Sequence, residues 1–360
     1  MKILVMAAAG IGDTLIATPF IHELRANFPD AIIDAFVLWP GSRDLLEGNP
    51  YINSVHQKNL IKAGAWESLR YIGQLRRIGY DISINVHTQG RIHYRVVARL
   101  IGAPIRLSHQ YDHHGWLDRW LVNRTAPEDY TVHSVENNNR LLSLLGKTPV
   151  LPKHELEVFL NPEEKQWAAD WANRYLPADK VCLGVHVGSG GTKNLALKRW
   201  PLDHFVALFK WLNEAHPNLR IVLFGGPEES AAHVRIAKEI PSSSILIPET
   251  KNLRQAAALM KHCHLFLSVD TALMHLAAAM KVPEQIVIEA PTLNPTNRPY
   301  QNKFVVVRNP VVNGRNLEYY RYDGGPIRGT DEELLRCMAS ITVDDVYTAV
   351  LKAMPSASSQ

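Results

Sequence analysis

The sequence predicts an α/β protein made of two doubly wound parallel sheets in series. Three observations carry this reading. Short β-branched runs alternate with longer amphipathic stretches, the rhythm breaks once near the middle, and the glycine-rich turns follow directly on the apolar runs.

In the first half, strands are expected at Lys2–Ala8, Ala31–Leu38, Ile52–His56, Asp81–His87 and Ile105–Ser108. Helices are expected at Asp13–Phe28, Ala65–Ile78, Ile92–Ile101 and His133–Leu145. Pro149, Pro152 and Pro162 interrupt the pattern, and the domain linker is placed there. The rhythm restarts with strands at Val181–Val187, Arg220–Phe224, Ser244–Ile247, Leu265–Val269 and Gln285–Glu289. The helices between them are Leu202–Glu214, Glu228–Ile240, Leu253–Lys261 and Thr271–Met280. Residues 309–330, rich in Gly, Asn and Arg, read as loop, Val343–Met354 as a last amphipathic helix, and 355–360 as a frayed tail.

Composition narrows the function classes. With 360 residues, 46% apolar and 21% charged, the chain is neither disordered nor a simple coiled coil. No apolar run approaches the ~18 residues that would span a bilayer. The formal net charge of +4 suits an anionic substrate or a membrane surface without demanding nucleic acid. Cys182, Cys263 and Cys337 lie far apart with no CxxC pair, so neither zinc nor a disulfide framework is signalled, and a reducing cytoplasm fits. The N-terminal MKILVMAAAGIGD looks superficially like a signal peptide, but its apolar part ends at Asp13, and a first strand is the better reading.

Four segments stand where a doubly wound sheet binds ligands, just beyond strand ends. Gly10-Ile11-Gly12-Asp13-Thr14 follows the first strand. It lacks the third glycine of a dinucleotide fingerprint, having Leu15 there, and Asp13 would repel a pyrophosphate at the helix N-terminus. Asp13 is either a helix cap or a carboxylate available as a general base, and one residue can do both. Gly188-Ser189-Gly190-Gly191-Thr192-Lys193, continuing to Lys198-Arg199-Trp200-Pro201, is either a surface loop or an anion cradle of glycine amides, hydroxyls and lysines. Asp270-Thr271-Ala272, with His275 one turn into the helix, is a cap with a satisfied histidine, or one side of a nucleotide-diphosphate site. Gly225-Gly226-Pro227-Glu228-Glu229 offers either a ribose-binding carboxylate or a charged first turn. No DxD pair sits at a strand end, so no metal and no other cofactor is expected.

In this order the four segments resemble glycosyltransferase family 9, the ADP-heptose:lipopolysaccharide heptosyltransferases. The resemblance runs from the first strand to about Tyr300 and again from Cys337 to about Val350. It implies a GT-B architecture of two Rossmann-like domains: 1–160 on the acceptor side and 161–335 on the donor side, with ligands in the cleft between them. Residues 336–360 would form a helix packing back toward the N-terminal domain. It implies an inverting transfer of heptose from ADP-heptose to a lipopolysaccharide core hydroxyl. Asp13 of the family's G-x-G-D is implied as base, and Lys198 of K-x-W-P as a catalytic and diphosphate contact. Gly12, Ser189, Thr192, Glu229, Lys251, Asp270, Thr271, Ala272 and His275 are implied around the donor, with Glu229 at the ribose and Lys251-Asn252-Leu253 around the adenine. Two departures fall on the donor-pocket rim: Ala272 replaces the family's glycine, and Glu289-Ala290-Pro291-Thr292 replaces its F-G-P-T.

On the acceptor side, Thr14, Arg91 and Arg95 are expected to meet the anionic lipopolysaccharide core, although His87–Arg95 also fits a solvated helix start. A membrane-borne acceptor implies work at the cytoplasmic face of the inner membrane. Residues 66–77 and 116–121, basic and aromatic, are either docking stretches or ordinary amphipathic helices. Two other classes are weighed: an NAD-dependent oxidoreductase, disfavoured by Leu15 and Asp13, and a non-catalytic nucleotide-sugar binding protein in which Asp13 only caps a helix.

Overall fold

The computed structural model describes residues 1–241, 243–322 and 324–355, so most of the tail expected at 355–360 lies outside the described residues. The chain divides into two compact units. The first holds Met1–Phe159 and Tyr322–Gly325, the second Leu160–Arg321 and everything from Pro326 onward.

The first unit runs β1 (Lys2–Met6), α1 (Ile11–Ile16), α2 (Thr18–Asn27), β2 (Ile32–Val37), α3 (Pro40–Leu46), β3 (Ser54–Gln57), α4 (Ala65–Ile78), β4 (Ile82–Asn85), α5 (Ile92–Ile101), β5 (Ile105–Gln110), α6 (Trp116–Leu121), β6 (Arg124–Pro127) and α7 (Ser134–Arg140). Its six strands are all parallel, in the order β3-β2-β1-β4-β5-β6. Parallel strands covered on both faces must be apolar throughout, and Ile3–Met6 is wholly buried for that reason. One helix was expected over Asp13–Phe28, but two form. Pro19, with no N–H to give, sits in the first turn of α2 and ends the preceding helix.

The segment leaving this unit is tied down by Glu23 of α2. Its fully buried carboxylate accepts from Val150 N (2.9 Å), Leu151 N (2.8 Å) and His154 Nε2 (2.9 Å). A buried charge tolerates such a place only when its lone pairs are answered, as they are here.

The second unit runs α8 (Pro162–Tyr175), β7 (Val181–Val185), α9 (Leu202–Ala215), β8 (Leu219–Leu223), α10 (Ser230–Glu239), β9 (Ile245–Leu246), α11 (Leu253–Met260), β10 (Leu265–Ser268), α12 (Ala272–Ala279), β11 (Glu284–Ile288), β12 (Phe304–Val307), α13 (Asn316–Tyr319), α14 (Asp331–Ala339) and α15 (Val343–Ala353). Its order is β12-β11-β10-β7-β8-β9, again parallel. Helix α13 interrupts the loop expected over 309–330.

Helix α15 was expected to pack toward the first domain. Its buried face lies in the core of the second unit: Val346, Ala349, Val350 and Ala353 join Leu212, Ile286 and Ile288. Trp200 of the K-x-W-P segment fixes the approach by donating Nε1–H to Ile341 O (3.0 Å), between α14 and α15.

Each sheet reverses its winding once, between β1 and β4 in the first and between β7 and β10 in the second. Connections leave these strand pairs in opposite directions, so a crevice opens at their carboxyl ends. The loops after β1, β4, β7 and β10 carry most of the sequence motifs.

Helices α8 and α11 are joined by a buried fork. Arg254 Nε and Nη2 donate to Glu164 Oε1 (2.8 Å) and Oε2 (2.9 Å). Removing one partner strands a buried charge, so Arg254→Ala should lower the unfolding free energy by about 3–5 kcal/mol. Denaturant unfolding checks this, and a midpoint equal to the parent's would refute it.

Candidate active site

At the first unit's switch point, Asp13 occupies the third position of α1, half-buried, and its Oδ2 accepts the Gly10 N–H at 2.7 Å. The cap is therefore formed. It also takes the backbone amide that a dinucleotide pyrophosphate would need, which weighs against the oxidoreductase reading. Gly12 lies beside it in the first turn. Tyr94 of α5 feels both Asp13 and Arg91. Burial first, then the Asp13 charge, raise its phenol to about 12 against the lowering effect of Arg91. Tyr94 is thus a neutral hydroxyl near the Asp13 carboxylate at neutral pH, a neighbour that the sequence analysis did not single out.

Two expected acceptor contacts are corrected. Thr14 is completely buried, its Oγ1 paired with Ser42 Oγ (2.8 Å) and Gly10 O (3.2 Å). Arg95 is equally inaccessible. It holds Asp118 Oδ1 (2.6 Å) and donates to Gln89 O (3.1 Å) and Gly90 O (2.9 Å). These side chains shape the loops after β1 and β4, because polar groups so deeply buried must find partners in the protein. Arg91 is exposed, with Nε donating to Gly324 O at 2.6 Å.

The second unit gathers its residues more tightly. Lys198 is buried, and its Nζ donates to Asp270 O and lies 3.1 Å from Asp270 Oδ2. The same carboxylate accepts from Thr292 Oγ1 at 2.8 and 2.7 Å and from Asn297 Nδ2 at 3.1 Å. Asp270 therefore neutralises Lys198 while two neutral donors hold its orientation. Thr271 caps α12, its Oγ1 accepting Met274 N–H (3.4 Å). The next amides, at Ala272 and Leu273, are first-turn donors without intrahelical partners. Ala272 is only half-buried and fits an ordinary first helical position.

His186 joins three loops, with Nδ1 3.1 Å from Thr271 Oγ1 and Nε2 3.9 Å from Glu229 Oε1. Glu229 also accepts Gly226 N–H (2.9 Å) and lies 3.7 Å from Arg199 Nη2. Burial raises its carboxyl, while Gly226 and Arg199 draw it down. Gly188 is needed for this approach. A Cβ there would sit 2.1 Å from Glu229 Oε1, and one at Gly225 2.9 Å from Glu229 Cβ. The first glycine of the cradle thus admits a carboxylate.

Ser189 Oγ closes its own loop on Leu195 O (2.8 Å) and accepts from Arg199 Nε (3.1 Å). Thr192 and Lys251 stand exposed in their loops, Lys251 with its N–H on Gln255 Oε1 (2.8 Å). Glu289, expected at the pocket rim, is buried and accepts the Asn309 N–H (2.7 Å), so it secures the chain just after β12. The structure thus brings Ser189, Lys198, Glu229, Asp270, Thr271 and His275 together, and adds His186, Arg199, Thr292 and Asn297. A polar residue one position past an all-apolar strand, as His186 is past β7, was the available signal for the first of these.

Both histidines are held neutral. Burial, then Lys198, lowers His275 to about 3, and its Nδ1 is buried without a hydrogen-bond partner. Burial, then His233, Arg199 and Lys198, lowers His186 to about 3. An unfolded chain takes up these protons near the ordinary imidazole value of 6.5, and the folded one only near 3. Stability should therefore fall as pH drops through that window, by up to ~1.4 kcal/mol per pH unit for each histidine. Denaturant unfolding between neutral and acid pH should give a shallower fall for His275→Gln. Parallel curves would refute the assignment.

The model of the family described as glycosyltransferase family 9 (heptosyltransferase) matches residues 68–321. Lipopolysaccharide heptosyltransferase 3 of Escherichia coli K12 is 30% identical over 284 residues, 76% of this chain and 78% of that protein. Lipopolysaccharide heptosyltransferase 2 of Salmonella typhimurium is 27% identical over 321 residues, 86% and 88% respectively. Among solved structures, a glycosyl transferase family 9 protein from Veillonella parvula superposes with a TM-score of 0.75 at 20% identity, covering 98% of this chain and 96% of that one. E. coli heptosyltransferase WaaC with ADP-2-deoxy-2-fluoro heptose gives 0.70 at 19% identity, covering 98% and 100%. At these identities the structures speak for the fold, two parallel α/β sheets of the GT-B kind.

Proposed function

The chain belongs to glycosyltransferase family 9, the heptosyltransferases, and from that premise we propose that it moves a heptose from ADP-heptose to a hydroxyl of the lipopolysaccharide core, inverting the anomeric centre in one displacement. The observation that carries the proposal is the buried Lys198–Asp270 pair beside the capped N-terminus of α12. An ammonium, two free helix amides and a neutral histidine converge where a leaving diphosphate gathers charge. Asp270 consumes part of the Lys198 charge and fixes its direction, and the remaining N–H can turn to the phosphate. As the bond to the leaving oxygen lengthens, negative charge grows there and these preset donors strengthen their hold. Arg199 and Glu229 extend the site toward the ribose, and the Lys251–Leu253 loop offers backbone groups to adenine. The ADP-heptose analogue held by WaaC supports the choice of donor.

Asp13 is the base in this reading. The acceptor hydroxyl attacks the anomeric carbon, its proton passes to Asp13, and ADP departs on the opposite face. The cap from Gly10 N–H holds the carboxylate oriented, and Arg91 is the remaining candidate for the acceptor's anionic groups. Such an acceptor is lipid-anchored, which places the work at the cytoplasmic face of the inner membrane. Among the described residues no helix is long and apolar enough to cross a membrane.

Asp13→Asn should cut the transfer rate by ~10²–10⁴ with ADP affinity unchanged. Single-turnover kinetics with saturating donor decides this, and a parent-like rate would remove Asp13 from the chemistry. ADP should bind more tightly than GDP or UDP, because a site that pairs one base edge leaves polar groups unmatched with another. Calorimetric titration of the three nucleotides tests the base. Preference for UDP or GDP would overturn the ADP assignment alone, and binding of none would overturn the donor site.

A further inference from the structure

Helices α4, α5 and α6 form one layer on the first sheet. Arg76 of α4 donates to Leu100 O of α5 (3.3 Å), and Arg99 of α5 lies 5.1 Å from the centre of the Trp120 ring of α6. Inward, Ile72, Leu75, Ala98 and Ile101 fill the core, as amphipathic helices should. Outward, large apolar side chains stand among the charges. Trp66, Trp116 and Trp120 are 82%, 79% and 60% exposed, and Leu69, Val96 and Leu100 are exposed with them. Large apolar side chains scattered singly need no explanation, but a set shared by three adjoining helices marks an interaction surface.

Charge selects the partner. Arg70 and Arg77 lie on the same stripe of α4 as Trp66 and Leu69, at spacings of three, four and eleven residues, and Arg99 and Arg119 are exposed on α5 and α6. The two carboxylates of these helices are already engaged, Glu67 with Lys58 and Asp118 with buried Arg95. A second copy docking by the same face would set arginines against arginines, which an isologous contact cannot relieve. A phospholipid surface answers both features: indole rings settle at the headgroup level, and arginines reach phosphates while their stems lie along the acyl boundary.

We infer that the outer face of α4, α5 and α6 rests on an anionic phospholipid bilayer, anchored by Trp66, Trp116 and Trp120 and held electrostatically by Arg70, Arg77, Arg99 and Arg119. This deepens the proposed transfer to a lipid-anchored acceptor by assigning the surface that meets the lipid. It is independent of which nucleotide the second unit binds.

Flotation of the full chain with lipid vesicles tests it. The protein should float with phosphatidylcholine vesicles containing about 30 mol % phosphatidylglycerol, stay behind with phosphatidylcholine alone, and come off as salt rises toward ~1 M. The triple variant Trp66→Ser, Trp116→Ser, Trp120→Ser should bind the anionic vesicles at least about tenfold more weakly, and so should Arg70→Glu, Arg77→Glu. All five side chains are exposed, so the thermal midpoint and the ADP titration should match the parent's. The inference is overturned if the parent fails to float with anionic vesicles, or if both variants float as it does. It is equally overturned if ultracentrifugation finds a dimer that the triple variant dissolves. Failure of ADP to bind the parent would touch the donor reading and leave the flotation result standing.

Discussion

A buried ammonium has to be answered by a carboxylate, and in the second unit that answer organises the site. Lys198 comes from the turn before α9, Asp270 from the end of β10, and Thr292 and Asn297 from the loop after β11. Once Lys198 is enclosed, Asp270 must stay aligned with it, and Thr292 and Asn297 supply the donors that hold it there. Asp270 also precedes Thr271, the cap of α12, so the same turn sets the helix amides. His186 then reaches Thr271 from the end of β7 and Glu229 from the turn after β8. Charge compensation thus holds four strand-end loops in register.

In both units a carboxylate closes the turn it stands in. Asp13 completes the first turn of α1 and presents a carboxylate at the switch point of the first sheet. Glu229 completes its own turn through Gly226 and stands beside Arg199. A residue that caps a helix is already oriented and kept ionised by the helix dipole, which is what a base or an anion-site carboxylate needs. A cap and the base proposed for Asp13 are therefore compatible roles for one carboxylate.

The residues that mislead a reader of the sequence are the ones whose surroundings come from distant segments. Thr14 and Arg95 look available because both stand near strand-end turns, yet Ser42 and Asp118, 28 and 23 residues away, enclose them. Glu289 likewise gives no local hint that its carboxylate accepts from Asn309, 20 residues away. Local signals were sometimes present and unused. The boxes Asn161/Glu164 and Thr330/Glu333 announce α8 and α14 by spacing alone. The edge strand β6 is short and hardly apolar, and little in its composition separates it from loop, whereas β12, an apolar β-branched run, was a further local signal left unused.

By itself the sequence determined the alternation of strands and helices, the break near Pro149–Pro162, and the glycine-rich and acidic turns at strand ends. Each of these depends on neighbours a few residues apart, through periodicity, φ restriction or capping. Only the tertiary structure decided that Asp270 is the partner of Lys198, that Gly188 exists to admit Glu229, and that α15 belongs to the second core. It alone left three tryptophans of α4 and α6 exposed. Those outcomes depend on which distant side chains are brought within hydrogen-bonding or van der Waals reach, and burial then determines which charges must be paired and which apolar surfaces stay open.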